Sequence, residues 1–391
     1  MTRASSAAAP VPRAEAVVDL RAIADNVSVL RDRVRGVPVM AVVKADAYGH
    51  GLVPAAGAAR AGGAEWLGVA VLDEALALRT AGDTGRILSW MAAPGEDWAA
   101  AIGSGIDVTA YSESQLSEIL GPARDTGQVA RVQLKVDSGL GRGGSLPVHW
   151  AGLVAAARRA ETDGLATITG IWSHLATADE PGHPALADQE RVFAEALEVA
   201  DAAGLRPEVR HLANSAALLT RESTWYDLVR AGLAIYGLSP IPDLSSSADL
   251  GLRPAMTLQA RVVIAKRIDA GHGVSYGHTF VAKEPTNLAL IPLGYGDGIP
   301  WHASNRGTVL LGGRQHRIAG RVCMDQFVVD LGDDSCEAGD LAVLFGTGEH
   351  GEPTAQDWAE AAGTISYEIV TRLGPRIPRR YLGADQGVVS R

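Results

Sequence analysis

Eight short runs rich in Val, Ile and Leu recur through the first 240 residues, each followed by a longer Ala-rich stretch at helical spacing. Such alternation leaves a chain few options, because parallel strands are buried on both faces and each needs a helix to carry the chain back to the next. The runs are 39–43, 66–71, 86–90, 107–111, 131–136, 167–174, 208–212 and 228–229 with its neighbours. Between them the spacing predicts helices over 73–80, 112–120, 148–161 and 188–202, and an opening helix after Asp19, whose carboxylate can accept from first-turn amides. The fold expected over 13–244 is an α/β (β/α)8 TIM-like barrel.

From Ser239 the texture changes, with Pro240, Pro242, Ser245, Ser246, Ser247 and Pro254 forming a linker-like stretch. Beyond it, β-branched or alternating runs at 257–264, 288–293, 308–311 and 326–331, separated by turns such as Gly312-Gly313, predict a mostly β C-terminal domain over 245–391. One helix is expected from Thr354, which has capping-box spacing with Asp357, towards Arg372. Residues 1–12 read as a flexible N-terminal tail.

Composition excludes several classes. The chain has 391 residues, 47% apolar and 20% charged, enough for two or three domains with buried cores. A net charge of −10 argues against a nucleic-acid partner. No apolar run approaches the roughly 18 residues that span a bilayer, so no membrane partner is expected. Pro10 and Pro12 break the N-terminal stretch, which does not read as a secretory signal. The two cysteines, Cys323 and Cys336, fit a reducing compartment, with the cytoplasm as the expected one. Dispersed histidines without CxxC or HExxH argue against a metal site.

In a (β/α)8 barrel the chemistry lies where the strands end. Reactive side chains do cluster there: Lys44 follows MAVV, Arg142 comes after the QLKV strand, and His174 closes GIWS; Asn214 and Ser215 follow the seventh run and Arg230 the eighth. A lysine emerging from a desolvated mouth has a lowered pKa and can serve as nucleophile or base. The same position equally suits a lysine snorkelling at a strand end, and position alone does not decide. The string from Gly139 to Gly144 matches GxGxxG but opens after the fifth of eight units and contains a long cation, so it is not read as a dinucleotide fingerprint.

The segment AVVKADAYGHG closely resembles the motif holding the cofactor lysine in alanine racemases, which are fold-type III pyridoxal 5'-phosphate (PLP) enzymes. VDSGLGRGG, IWSHLA, HLANSA, VRAGLAIYG, VSYG, GYGDG, VCMDQ and TISYE follow in family order, so the resemblance covers nearly the whole chain. It implies interconversion of L-alanine and D-alanine, supplying D-alanine for peptidoglycan, by an isomerase whose Lys44 forms a Schiff base with PLP. Racemisation removes an α-proton and replaces it on the opposite face, which needs an electron sink and two bases; side chains offer no adequate sink, whereas PLP does.

By the same resemblance, the second base is Tyr276 in VSYG, reaching the barrel of the partner in a head-to-tail homodimer. Arg230 faces the pyridine nitrogen of PLP; an arginine keeps its protons and leaves that nitrogen unprotonated, with His174 in support. Ser215, Gly232, Leu233, Tyr48 and Tyr367 match the phosphate contacts, and Asn214 stands beside them. Arg142 and Met324 match the substrate-carboxylate partners, the latter by its backbone amide from the second subunit. Tyr295 in GYGDG matches a gate residue, and Lys135 occupies the position of a lysine that is carbamylated in many members. GLGR replaces the commoner GMGR and IWSHLA the commoner THFA, each keeping its cation or histidine. A serine or broad-specificity racemase, a fold-type III decarboxylase and a non-catalytic PLP-binding module are the competing readings; VSYG, VCMDQ and the β domain weigh against the last two.

Overall fold

A computed structural model describes residues 12–383. The chain divides into two compact units, one of Leu20–Arg253 and one assembled from the segments up to Asp19 and from Pro254 onward. The second unit begins with strand β1 (Ala14–Asp19).

The first unit holds eight parallel strands: β2 (Val39–Val42), β3 (Trp66–Val69), β4 (Arg86–Ser89), β5 (Asp107–Ala110), β6 (Ala130–Lys135), β7 (Ala166–Trp172), β8 (Val209–His211) and β9 (Val229–Ala231). They run in the order β8-β7-β6-β5-β4-β3-β2-β9. The seam between β8 and β9 is bridged by Arg230 N donating to Ala213 O at 3.1 Å and Asp227 N donating to Arg210 O at 3.0 Å, which makes a nearly closed barrel. All eight strands fall on the runs expected from sequence, because a parallel strand covered on both faces reads as an unbroken apolar run. Met40, Trp66, Leu88, Val209 and Leu228 pack together as one core cluster. At the strands' starting ends the buried Asp107 pairs with Arg86 at 3.0 Å and Arg131 at 3.3 Å, a polar plug on the face that carries stability rather than chemistry.

Helices Leu20–Arg33, Leu72–Thr80, Glu113–Thr126, Pro147–Thr162 and Ala185–Ala202 lie between the strands. The third is capped by Ser112, whose hydroxyl accepts from Gln115 N at 3.2 Å, and runs past the expected end at 120. Among the described residues no helix is long and apolar enough to cross a membrane.

The second unit is built on a nine-stranded sheet in the order Ile264–Ile268, Thr286–Ile291, Phe327–Gly332, Arg314–Ile318, Thr308–Leu311, Leu341–Phe345, Met256–Arg261, β1, Arg379–Leu382. β1 pairs antiparallel with Met256–Arg261 and parallel with Arg379–Leu382. Its place in this sheet moves the start of the barrel unit from the expected residue 13 to Leu20. The end moves from 244 to Arg253, because the buried Asn26 donates to Arg253 O at 2.9 Å and accepts from Arg253 N at 2.9 Å, tying that segment to the opening helix. The expected tail over 1–12 lies, apart from Pro12, outside the described residues.

The helix expected from Thr354 to Arg372 is two helices, Ala355–Ala362 and Ser366–Thr371. The capping box is present, with Thr354 N donating to Asp357 Oδ2 at 2.6 Å and Asp357 N to Thr354 Oγ1 at 3.2 Å. Gly363, in the left-handed region at φ 68°, closes the first helix where a side chain would resist that turn.

Candidate active site

Lys44 leaves the barrel directly after β2 and enters an unusual turn. Ala45, Asp46, Ala47 and Tyr48 all have φ between 53° and 54°, one turn of left-handed helix that L-residues avoid at a cost of about 1–2 kcal/mol each. Polar partners hold it: Glu74 accepts from Ala45 N at 2.6 Å, Asp46 from Leu52 N at 2.7 Å, and His50 Nδ1 lies 3.0 Å from Ala47 O and 2.9 Å from Tyr48 O. The buried Tyr236 donates to Val42 O at 2.9 Å and packs against the rings of Tyr48 and His50. Strain held this firmly fixes where Lys44 and Tyr48 point. The Lys44 amine stands 5.8 Å from the centre of the Trp90 ring. Burial, and then the charge of Arg142, press its pKa below the usual lysine value, against a smaller pull from Glu74.

Arg230, only 4% exposed, sits in the last barrel strand, and both terminal nitrogens of its guanidinium are held by neutral groups. Nη1 donates to His211 Nδ1 at 2.9 Å, and Nη2 to Ser173 O at 2.8 Å, Leu212 O at 3.0 Å and His174 Nδ1 at 3.1 Å. A guanidinium has no acceptor, so both histidines present a bare Nδ1 and carry their proton on Nε2. In His211 that Nε2 faces Gln133 Oε1 at 2.8 Å. Burial holds both imidazoles well below the usual histidine range, and the charge of Arg230 adds to it. Burial brings Arg230 itself down to about 9, which leaves it charged at neutral pH.

Two further cations converge on the same mouth. The buried Lys135 lies 4.6 Å from the Trp172 ring centre and 5.2 Å from that of Tyr111, and its pKa is lowered to about 8 by burial, Arg230 and Arg142. Arg142 is exposed at the rim. Its glycine-rich loop is shaped by Asp137, whose Oδ1 accepts from Gly139 N at 3.0 Å and Gly141 N at 3.1 Å. Lys44, Lys135, Arg142 and Arg230 thus give this mouth a strong positive field within a chain of net charge −10.

At the end of the turn that follows Lys44, the Tyr48 hydroxyl meets a polar cluster formed by Ser215 and Gly232. Ser215 Oγ accepts from Gly232 N at 2.7 Å, which frees its own proton to point outward. A β-carbon at Gly232 would sit 2.6 Å from Tyr48 Oη and 3.8 Å from Ser215 Oγ, so glycine is what lets the Tyr48 hydroxyl come this close to the backbone beside Ser215. Asn214 caps helix Ser215–Thr220 by accepting from Ala217 N at 3.0 Å, and Gly232 opens the 3-10 turn Leu233–Tyr236. Hydroxyls and chain-end amides in this arrangement suit a phosphate group.

The remaining candidates lie in the other unit. Tyr276 is 72% exposed, Met324 56% and Tyr295 46%, and one loop joins the three motifs that carry them. Ser275 Oγ donates to Arg321 O at 2.7 Å and meets Cys323 Sγ at 3.3 Å, while Tyr295 N donates to Cys323 O and Gly296 N to Met324 O. Tyr367 is carried by helix Ser366–Thr371. His211, Gln133, Glu74 and Tyr236 were not anticipated as site residues. His211 opens HLANSA and so stood at a strand end, the one signal that could have found it.

Fold and site together define a (β/α)8-barrel enzyme with reactive side chains gathered at the C-terminal ends of the strands, coupled in one chain to a β unit bearing an exposed tyrosine. The families described as alanine racemase, N-terminal domain and alanine racemase, C-terminal domain match residues 18–240 and 255–381. The chain is 58% identical over 371 residues to the alanine racemase of Thermobifida fusca, covering 95% of this chain and 98% of that one. It is 54% identical over 386 residues to the alanine racemase of Streptomyces coelicolor, covering 97% and 99%. The crystal structure of alanine racemase from D-cycloserine producing Streptomyces lavendulae superposes with a TM-score of 0.95 at 54% identity, covering 96% of this chain and 99% of that one. The chain belongs to the alanine racemase family, and is a racemase within the isomerases.

Proposed function

We propose that the protein interconverts L-alanine and D-alanine with pyridoxal 5'-phosphate, as a cytoplasmic homodimer that supplies D-alanine for peptidoglycan. The observation that carries this reading is the polar cluster of Tyr48 Oη, Ser215 Oγ and the Gly232 backbone at the end of the four-residue left-handed turn that follows a partly desolvated lysine. Its donors are hydroxyls and amides within a positive field, and they fit the cofactor's phosphate.

Bound there, the cofactor supplies the electron sink that lets the α-proton leave. Lys44 would hold it, and the Lys44 amine, its pKa lowered, moves the proton on one face of the α-carbon. Tyr276 of the partner subunit moves it on the other. Tyr48, Asn214, Ser215, Gly232, Leu233 and Tyr367 serve the phosphate. Arg230 stays charged and would donate to the pyridine nitrogen, and His174, a neutral acceptor, orients it without taking its charge. Having no proton to give up, Arg230 would leave that nitrogen unprotonated, which would favour returning the proton to the α-carbon. Arg142 and the backbone amide of Met324 hold the substrate carboxylate, Tyr295 gates the channel, and a carbamylated Lys135 would place an anion beside Arg142.

The test is direct. The purified protein should be yellow, borohydride should fix the cofactor's mass on the peptide containing Lys44, and solvent deuterium should enter both alanine enantiomers. A colourless protein, inactive with added PLP, would overturn the reading.

A further inference from the structure

Helix Ala185–Ala202 supplies no group to the chemistry described above, yet it sends one buried amide toward it. Gln189 is 1% exposed. Its Nε2 donates to His174 O at 3.1 Å and to Ser138 Oγ at 3.4 Å, and its Oε1 accepts from Ala176 N at 2.8 Å. Ser138 and Ser173 hydroxyls meet at 2.8 Å, and the Ser173 hydroxyl donates to Val136 O at 2.8 Å. That last bond commits the Ser173 proton, so the direction of the whole chain is set: Gln189 donates to Ser138, Ser138 to Ser173, and Ser173 to the backbone.

The chain joins two loops that matter for different reasons. Ser138 opens the turn that Asp137 folds and that ends at Arg142. His174 and the Ser173 carbonyl are both acceptors for Arg230. We propose that Gln189 is a positioning residue that keeps the Arg142 loop in register with the His174–Arg230 pair. The proposal rests on the reading that Arg142 meets the substrate carboxylate and Arg230 the cofactor. A buried polar chain suits this role because deleting one member leaves its neighbours unpaired, whereas an apolar contact would tolerate sliding.

Gln189→Leu keeps similar bulk and removes all three bonds. With both loops released, KM for alanine should rise about tenfold, more than kcat falls, as expected for a binding group displaced by a fraction of an ångström. The affinity of the apoprotein for pyridoxal phosphate, followed through the fluorescence of Trp90 and Trp172, should weaken by a similar factor. Ser138→Ala cuts only the branch to the Arg142 loop, so KM should rise while cofactor affinity holds. Arg142→Leu serves as the control for the underlying reading and should raise KM on its own. The proposal is overturned if a cooperatively folded Gln189→Leu keeps KM and cofactor affinity within about twofold of the parent. Should that variant not fold, an unchanged KM in Ser138→Ala overturns it equally. An unchanged KM in Arg142→Leu sinks the reading of Arg142 and this proposal with it, whereas normal Gln189→Leu beside an impaired Arg142→Leu sinks this proposal alone.

Discussion

The guanidinium of Arg230 lies 2.9 Å from Nδ1 of His211, a buried cation held by an imidazole rather than by a carboxylate. A carboxylate would neutralise the arginine; the histidine orients it and leaves its charge available. The arrangement works only while the imidazole is unprotonated, and the structure keeps it so through burial and through Arg230 itself.

Stability should therefore depend on pH in a defined direction. His174 and His211 both titrate well below 6.5 in the folded protein, whereas in the unfolded chain they take up protons near that value. Below it the unfolded state binds more protons, so unfolding free energy falls by about 1.4 kcal/mol per pH unit for each histidine, and above about pH 7.5 these groups contribute no slope. Urea melts at pH 7, 6 and 5 should show the decline, and His211→Gln, which cannot titrate there, should show a shallower one. Parallel curves would mean that His211 is not held neutral.

The Lys44 amine offers a second titration. Burial lowers its pKa most, and Arg142 adds to the effect. In the apoprotein, labelling of Lys44 with trinitrobenzenesulfonate against pH should give a midpoint that moves upward in Arg142→Leu, part of the way to the usual lysine value. An unmoved midpoint would show that the two charges do not feel each other.

At the proposed phosphate cluster, Gly232→Ala puts a methyl carbon 2.6 Å from Tyr48 Oη and must push that hydroxyl away. Tyr48 is packed against Tyr236 and cannot swing freely. Affinity for pyridoxal phosphate should fall by at least about tenfold, the value of one charge-assisted hydrogen bond or more. Equilibrium titration of the apoprotein measures this, and unchanged affinity would remove the Tyr48–Gly232 cluster from the site.

Ala45→Gly probes the left-handed turn. Ala45 is exposed, at φ 53°, where glycine carries no penalty. Thermal or urea unfolding should show a gain of about 0.5–1 kcal/mol after the added flexibility of the unfolded chain is subtracted. A loss would mean that the turn is not strained.

Shared sites can be tested by complementation. Lys44→Ala and Tyr276→Phe should each be inactive alone. After subunit exchange half the dimers are mixed and each has one intact site, so about a quarter of parental activity should return. No recovery after exchange is confirmed by mass would place both bases within one chain.

The barrel was legible because every strand from Val39 to Ala231 is a local apolar run whose type depends little on distant residues. β1 was not. Ala14–Asp19 finds its partners more than 230 residues later, in Met256–Arg261 and Arg379–Leu382, and no short-range pattern records such a pairing. At the site, Lys44, Arg142, His174 and Arg230 could be picked out as reactive types at strand ends. The left-handed turn could not, since Ala and Tyr disfavour positive φ, one Asp tolerates it without signalling four in a row, and only Gly49 and Gly51 hint at it. His211 and Gln189 were hidden for a related reason: one buried polar side chain in a strand or helix reads as ordinary until its partners are known.

The position of β1 has a consequence for how the protein is made. On a ribosome, residues 20–253 are complete while this strand still has neither neighbour. Its second neighbour, Arg379–Leu382, emerges only after more than a hundred further residues, on the order of ten seconds at usual translation speeds. During that interval the nascent barrel can fold and Met256–Arg261 is already available, while the other flank of these six residues waits unpaired. Chaperone binding during synthesis should concentrate on that short segment, and a premature stop just before Arg379 would leave β1 with one flank permanently open.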